Sequence, residues 1–144
     1  MLKVEFSADG IFAQLTKIIG DAGASLRPAA QAAAQVFYDE VRLQAPQSEK
    51  AHVTKGKRQS YQPGNLKAAI YQAYNKRDSV AGKFEGYGVS WNKKKAFYGH
   101  FVENGTSRSP AHSFLRKSYE SQKTAAAKAA AAVFAKTFRD LNDR

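Results

Sequence analysis

His100 and Glu103 lie three residues apart in a stretch that reads as a short helix, a spacing that turns an imidazole and a carboxylate the same way. Such a pair can ligate a metal ion or shuttle a proton. A metal site takes three or four ligands, however, and the chain has no cysteine. Its other histidines are His52, in a polar stretch, and His112, beyond Pro110, without the paired spacing of zinc hydrolases. Both His100 and Glu103 are therefore read as structural or surface residues. Gly56-Lys57-Arg58 lacks the upstream glycine and the following Ser or Thr of a phosphate loop. Gly82, Gly86 and Gly88 do not form a dinucleotide fingerprint, and no Gly-x-Ser-x-Gly elbow occurs. No nucleophile stands with its base and no acid pair is recognisable, so the expectation is a protein that is not an enzyme, with no catalytic residue, no bound metal and no cofactor.

Charge gives a second chemistry. The formal net charge is +11, and eleven Lys or Arg fall between Glu49 and Lys95 against three acids, Glu49, Asp78 and Glu85. This excess points to a polyanion. Lys50, Lys55, Lys57 and Arg58, with His52 and Tyr61 nearby, are the expected contacts with double-stranded DNA, through phosphates and without sequence reading. They lack the interleaved aromatics of a single-strand binder. The plainer reading is a solvated basic surface that keeps the protein in solution. The 144 residues fit one domain with a core of its own. The absence of cysteine excludes a disulfide framework, and no run approaches the roughly 18 apolar residues of a membrane span, so the expectation is a soluble protein without a sorting signal or membrane partner.

These residues must be positioned by a small set of elements. Leu2, Val4 and Phe6 alternate with polar residues as a half-buried strand does. Ser7 or Asp9 caps a first helix whose Phe12, Leu15, Ile19 and Ala22 share the face that packs on the sheet. Pro28 suits the first turn of a second helix, with Ala30, Ala34, Phe37 and Val41 on a stripe ending at Ala45-Pro46; its many alanines let another helix approach closely. Residues 47–64 lose periodicity and form a long basic loop, mobile in isolation, with Val53 and Tyr61 its only sizeable apolar groups. A helical turn at 65–69 precedes a strand at 70–75; the chain turns at 78–82, and Tyr87, Val89 and Trp91 return as a second strand, making a hairpin. A short helix follows, with Phe97, Phe101 and Val102 inward, ending at Asn104-Gly105. From 113 to about 141 the Ala-rich sequence has no Gly or Pro and reads as one long helix. Its apolar face carries Leu115, Tyr119, Ala126, Ala130, Val133, Thr137 and Leu141, flanked by Phe134 and Phe138. The fold class is α+β: a small antiparallel sheet, formed by the N-terminal strand and the central hairpin, packed by two N-terminal helices and a long C-terminal helix.

Ala45-Pro46, then Gly64-Asn65-Leu66 and Ile70, then Tyr98-Gly99-His100-Phe101-Val102-Glu103-Asn104-Gly105-Thr106 and the run from Pro110 to Arg116, together resemble the head-to-tail joining and tail-completion proteins of long-tailed bacteriophages and prophages. Tyr98, Val102, Glu103, Gly105, Thr106, Phe114, Leu115 and Arg116 match that family's pattern. Gly99 stands where Ala is usual, Asn104 where an aromatic is common, and Ser113 for the Pro before Phe-Leu-Arg; the basic loop is also longer. The resemblance implies an α+β virion assembly protein of the neck, located in the virion and in the host cytoplasm during assembly. It implies a ring of copies of this chain, a hexamer among the sizes to be considered, between the head connector and the tail tube or tail terminator, with DNA passing through. Glu103, Gly105, Thr106, Arg108 and Arg116 would then meet a neighbour, Glu103 pairing with Arg116 or a basic group on another subunit, while Thr106 bonds the turn and the aromatics fill the core. The alternative is a small basic DNA-binding protein without sequence specificity.

Overall fold

The computed structural model describes residues 8–53 and 60–144, and side chains from residue 13 onward within that span. The expected strand at Leu2, Val4 and Phe6, the cap at Ser7, and Lys55, Lys57 and Arg58 lie outside the described residues. The elements in chain order are α1 (Ala8–Gln44), β1 (His52–Val53), β2 (Ser60–Tyr61), α2 (Asn65–Ala69), β3 (Ile70–Tyr74), β4 (Tyr87–Trp91), α3 (Gly99–Asn104) and α4 (Phe114–Asn142). They make an α+β fold with two antiparallel pairs, β1–β2 and β3–β4.

Two long helices form the frame. The 37 residues of α1 span about 55 Å at 1.5 Å each, and the 29 of α4 about 44 Å. They run antiparallel: Gln122 Nε2 reaches Glu40 Oε2 at 3.5 Å near one end, and Lys17 Nζ donates to Asn142 O at 3.2 Å near the other. Ala29 and Ala34 on α1 and Ala126 on α4 are buried, as expected of small side chains that let helix backbones approach. Phe37 and Tyr119 stack across the pair at 5.6 Å.

The two expected N-terminal helices are a single helix that runs through Pro28. Proline removes one i→i−4 bond from a helix interior. Here tertiary contacts hold the backbone helical on both sides: Gly23 packs against Gly82 on the hairpin side, Arg27 reaches Tyr74 and Tyr87, and Ala29 and Ala34 are buried. The expected apolar face of the first half is also corrected. Leu15 and Ile19 are exposed, Ile19 at 71%, and it is the second half of α1 that meets the sheet, where Gln72 Nε2 donates to Gln35 Oε1 at 2.6 Å.

The β3–β4 hairpin follows the expected alternation. Ile70 pairs with Trp91, Gln72 with Val89 and Tyr74 with Tyr87 on the covered face, while Tyr71 points to solvent. The core is one cluster built by Val41, Ala45, Leu66, Ala69, Ile70, Trp91, Ala96 and Phe114. Residues 47–64 are not structureless along their described length. His52 pairs with Tyr61 and Val53 with Ser60, and Tyr61 is buried at 3%. An aromatic side chain that size supplies the burial that aperiodic polar sequence conceals.

Candidate functional site

The segment from α3 to α4 folds as a helix junction. α3 is short because Gly105, at φ +77°, turns the chain where a Cβ would lie 2.7 Å from Ala111 N. Thr106 then fixes the bend: its Oγ1 accepts from the main-chain N–H of Arg108 at 3.3 Å and of Ser109 at 3.1 Å. The returning chain is bonded to α3, with His112 N donating to Val102 O and Ser113 N to Glu103 O.

Glu103 closes the junction. It is buried, and its Oε2 and Oε1 accept from the main-chain N–H groups of Leu115 at 2.9 Å and Arg116 at 3.2 Å. Those are the second and third residues of α4, whose N-cap Ser113 makes no side-chain cap bond. A carboxylate from α3 thus performs the capping that the helix cannot supply locally, at the end where negative charge is favoured. Glu103 meets Arg116 through the Arg116 main-chain N–H, and the Arg116 side chain is exposed. Sequence reasoning missed this role. The available signal was the start of α4, which has no acid in its first turn and carries Arg at its third position instead of the Glu or Gln of a capping box.

His100 and Glu103 face apart. His100 is exposed, with its Nδ1 3.0 Å from Asn104 Nδ2, while Glu103 points inward. Phe101 is 49% exposed, contrary to the expected inward position. The buried pair Gly99 and Glu103, four apart, defines the inner side of α3, and Phe101 lies halfway between them in sequence, hence on the opposite side. Phe97 and Val102 are half-buried, Val102 against the core. Gly99 carries the Trp91 indole: a Cβ there would lie 2.5 Å from Trp91 Nε1. Of the remaining expected interface residues, Thr106, Arg108 and Arg116 are exposed and Gly105 is half-buried.

Beside the junction lies an aromatic group. Tyr98 meets His52 and Tyr61 edge-on, each at 5.2 Å, and Phe97 approaches Tyr61 at 5.9 Å. A cavity of about 360 Å³ opens next to it, between Pro46, His52, Asn65, Leu66, Tyr98 and Val102. His52 is the sole imidazole of the lining, which holds no carboxylate. Among the described residues no three His, Asp or Glu side chains gather as a metal site would require.

The other end of the hairpin is polar and tightly bonded. Arg27 sits 4.1 Å over the Tyr74 ring and its Nε donates to the Tyr87 hydroxyl at 3.4 Å; Tyr74 donates to Glu85 Oε2 at 2.6 Å. The bond to Glu85 holds the Tyr74 phenol above its ordinary range, and the bond to Tyr87 does the same for Arg27. Lys50, the expected DNA contact that falls within the described residues, is exposed on the chain leading to β1. Lys93, Lys94 and Lys95, part of the charge excess between Glu49 and Lys95, stand exposed in succession after β4.

No family model, no curated protein and no solved structure matches this chain. Among the described residues no helix is long and apolar enough to cross a membrane.

Proposed function

We propose that this chain is a non-enzymatic virion assembly protein, a neck or tail-completion component that joins a phage head to its tail as a ring of copies through which DNA passes. The observation that carries the reading is the convergence of the residues behind the resemblance. Ala45, Leu66, Ile70 and Phe114 belong to one buried cluster, and Tyr98, Val102 and Leu115 pack against it. Glu103, Gly105 and Thr106 build the corner that starts α4. Residues scattered over the chain thus serve one construction, the setting of a long helix on a small sheet, and that is what a shared pattern of a fold family consists of. Arg108 and Arg116, exposed around that corner, are the residues offered to a neighbouring subunit or to the connector.

Deleting the gene from a phage that carries it is expected to leave full heads and finished tails unjoined, visible by electron microscopy and restored by expression in trans. Normal virions from the deletion would refute the reading. The net charge of +11 favours one alternative, a small DNA-binding protein without sequence specificity. That alternative predicts intact particles from the deletion together with salt-sensitive duplex binding by the purified chain.

A further inference from the structure

Of the eleven Lys or Arg between Glu49 and Lys95, three stand in succession just after β4. At the end of β4 the chain makes a tight turn that presents Lys93, Lys94 and Lys95 consecutively to solvent. The turn is held from both sides. Asn92 Oδ1 accepts from the N–H groups of Lys94 at 2.9 Å and Lys95 at 3.3 Å, and Asn92 O accepts from Ala96 N at 2.9 Å. α2, which carries Lys67, is tied to the same turn: Asn92 N donates to Ala69 O and Asn65 Nδ2 donates to Lys95 O, both at 2.8 Å. The lysines therefore stand on a fixed backbone at the base of the hairpin.

Among the described residues no acid forms an ion pair with them. Residues 60–77 and 86–102, which include the turn and α2, contain no Asp or Glu. The hairpin's acids lie toward the opposite end and are engaged there, Asp78 with Asn75 and Glu85 with Tyr74 and Gly82. A hollow of about 560 Å³ adjoins the turn, lined by Tyr71, Ser90, Trp91, Asn92, Lys93 and Lys94. Ammonium groups rimming a surface with tyrosine, serine and asparagine side chains are the donor types that hold nucleic-acid phosphates. Lysine contributes point charges without the fork geometry that reads bases. Tyr71 is the one exposed ring at the hollow, whereas single-strand binders use successive rings as a stacking platform.

We propose that the Lys93–Lys94–Lys95 turn, with Lys67 and the Tyr71 hollow, is a contact site for the phosphate backbone of duplex DNA. The proposal rests on the reading that this protein meets DNA, and it locates that contact on a rigid turn of the fold.

The test uses the full-length protein and a short fluorescent duplex, with anisotropy read at several salt concentrations. The wild-type chain is expected to bind with an affinity that falls steeply between about 50 and 200 mM salt. The triple substitution Lys93→Gln, Lys94→Gln, Lys95→Gln is expected to weaken binding at least tenfold at low salt and to flatten the log–log salt dependence by about 2 to 3, near 0.9 for each lost phosphate contact. The charge-matched control Lys123→Gln, Lys128→Gln, Lys136→Gln, at exposed positions of α4, is expected to change the slope little. Lys→Arg at all three turn positions retains charge and is expected to retain binding, which separates loss of contact from loss of fold. Equal slopes and affinities for the turn and control variants would overturn the proposal. So would tighter binding to a single strand, or to phosphatidylserine-containing vesicles, than to duplex. A chain that binds no duplex yet restores head–tail joining in the deleted phage would refute this site and leave the assembly reading standing; unimpaired joining after deletion would refute the assembly reading alone.

Discussion

Glu103 accepts two main-chain N–H groups at the start of α4 from a buried position, so its removal leaves two donors unpaired away from water. Glu103→Ala is expected to cost about 1 to 3 kcal/mol in denaturant unfolding, and Glu103→Gln, which keeps one acceptor oxygen, less. Ser113 shows how local conformation selects a residue. It sits at φ +46°, and its N–H donates to Glu103 O. Proline, usual at this place in the resembling family, fixes φ near −65° and has no N–H, so Ser113→Pro is expected to cost about 3 kcal/mol or more by the same measurement. Gly99 is explained likewise, since alanine would meet the Trp91 indole. Tyr74 supplies a pH signature. Its pKa is raised, chiefly because the phenol donates to Glu85, so the folded state holds this proton more tightly than the unfolded chain. The corresponding stabilisation is present below the ordinary phenol value of about 10 and is lost as pH rises through the folded value. Spectrophotometric titration should show the Tyr74 phenol ionising above its ordinary range in the folded protein, and Glu85→Ala should bring it back toward that range.

At the level of elements, much was legible. The long C-terminal helix read as 113 to about 141 is Phe114–Asn142, because an Ala-rich run without Gly or Pro has high intrinsic propensity over its whole length. The hairpin was legible because period-2 alternation flanks a turn, and α3 ends at Asn104 where Gly105 can take positive φ. Pro28 was misread because proline is a local stop signal, and the contacts that carry α1 through it come from α4 and from the hairpin, remote in sequence. Restoring the missing N–H should then strengthen the helix. Pro28→Ala is expected to stabilise the protein by about 1 to 3 kcal/mol, read as a higher denaturant midpoint with unchanged slope.

For the whole molecule, the core joins α1, α2, the β3–β4 hairpin and α4 in one cluster that includes Phe114, which is fully buried 5.8 Å from the ring of Trp91. Trp91 is the only tryptophan, so its fluorescence reports this centre while circular dichroism reports the two long helices. The two signals should lose structure in one coincident transition, and Phe114→Ala should lower both together by about 3 to 5 kcal/mol. Separate transitions would show that the helical pair and the sheet fold independently. The sequence by itself determined the α+β class, the hairpin, the closing helix and the uneven positive charge, since these follow from local periodicity, propensity and composition. Only the tertiary structure decided that Glu103 caps a helix eleven residues away, that α1 continues through Pro28, that Tyr61 is buried, and that three lysines stand on a fixed turn. Each of those depends on which distant groups fill a hydrogen-bonding or packing vacancy, and a vacancy of that kind exists only once the chain has folded around it.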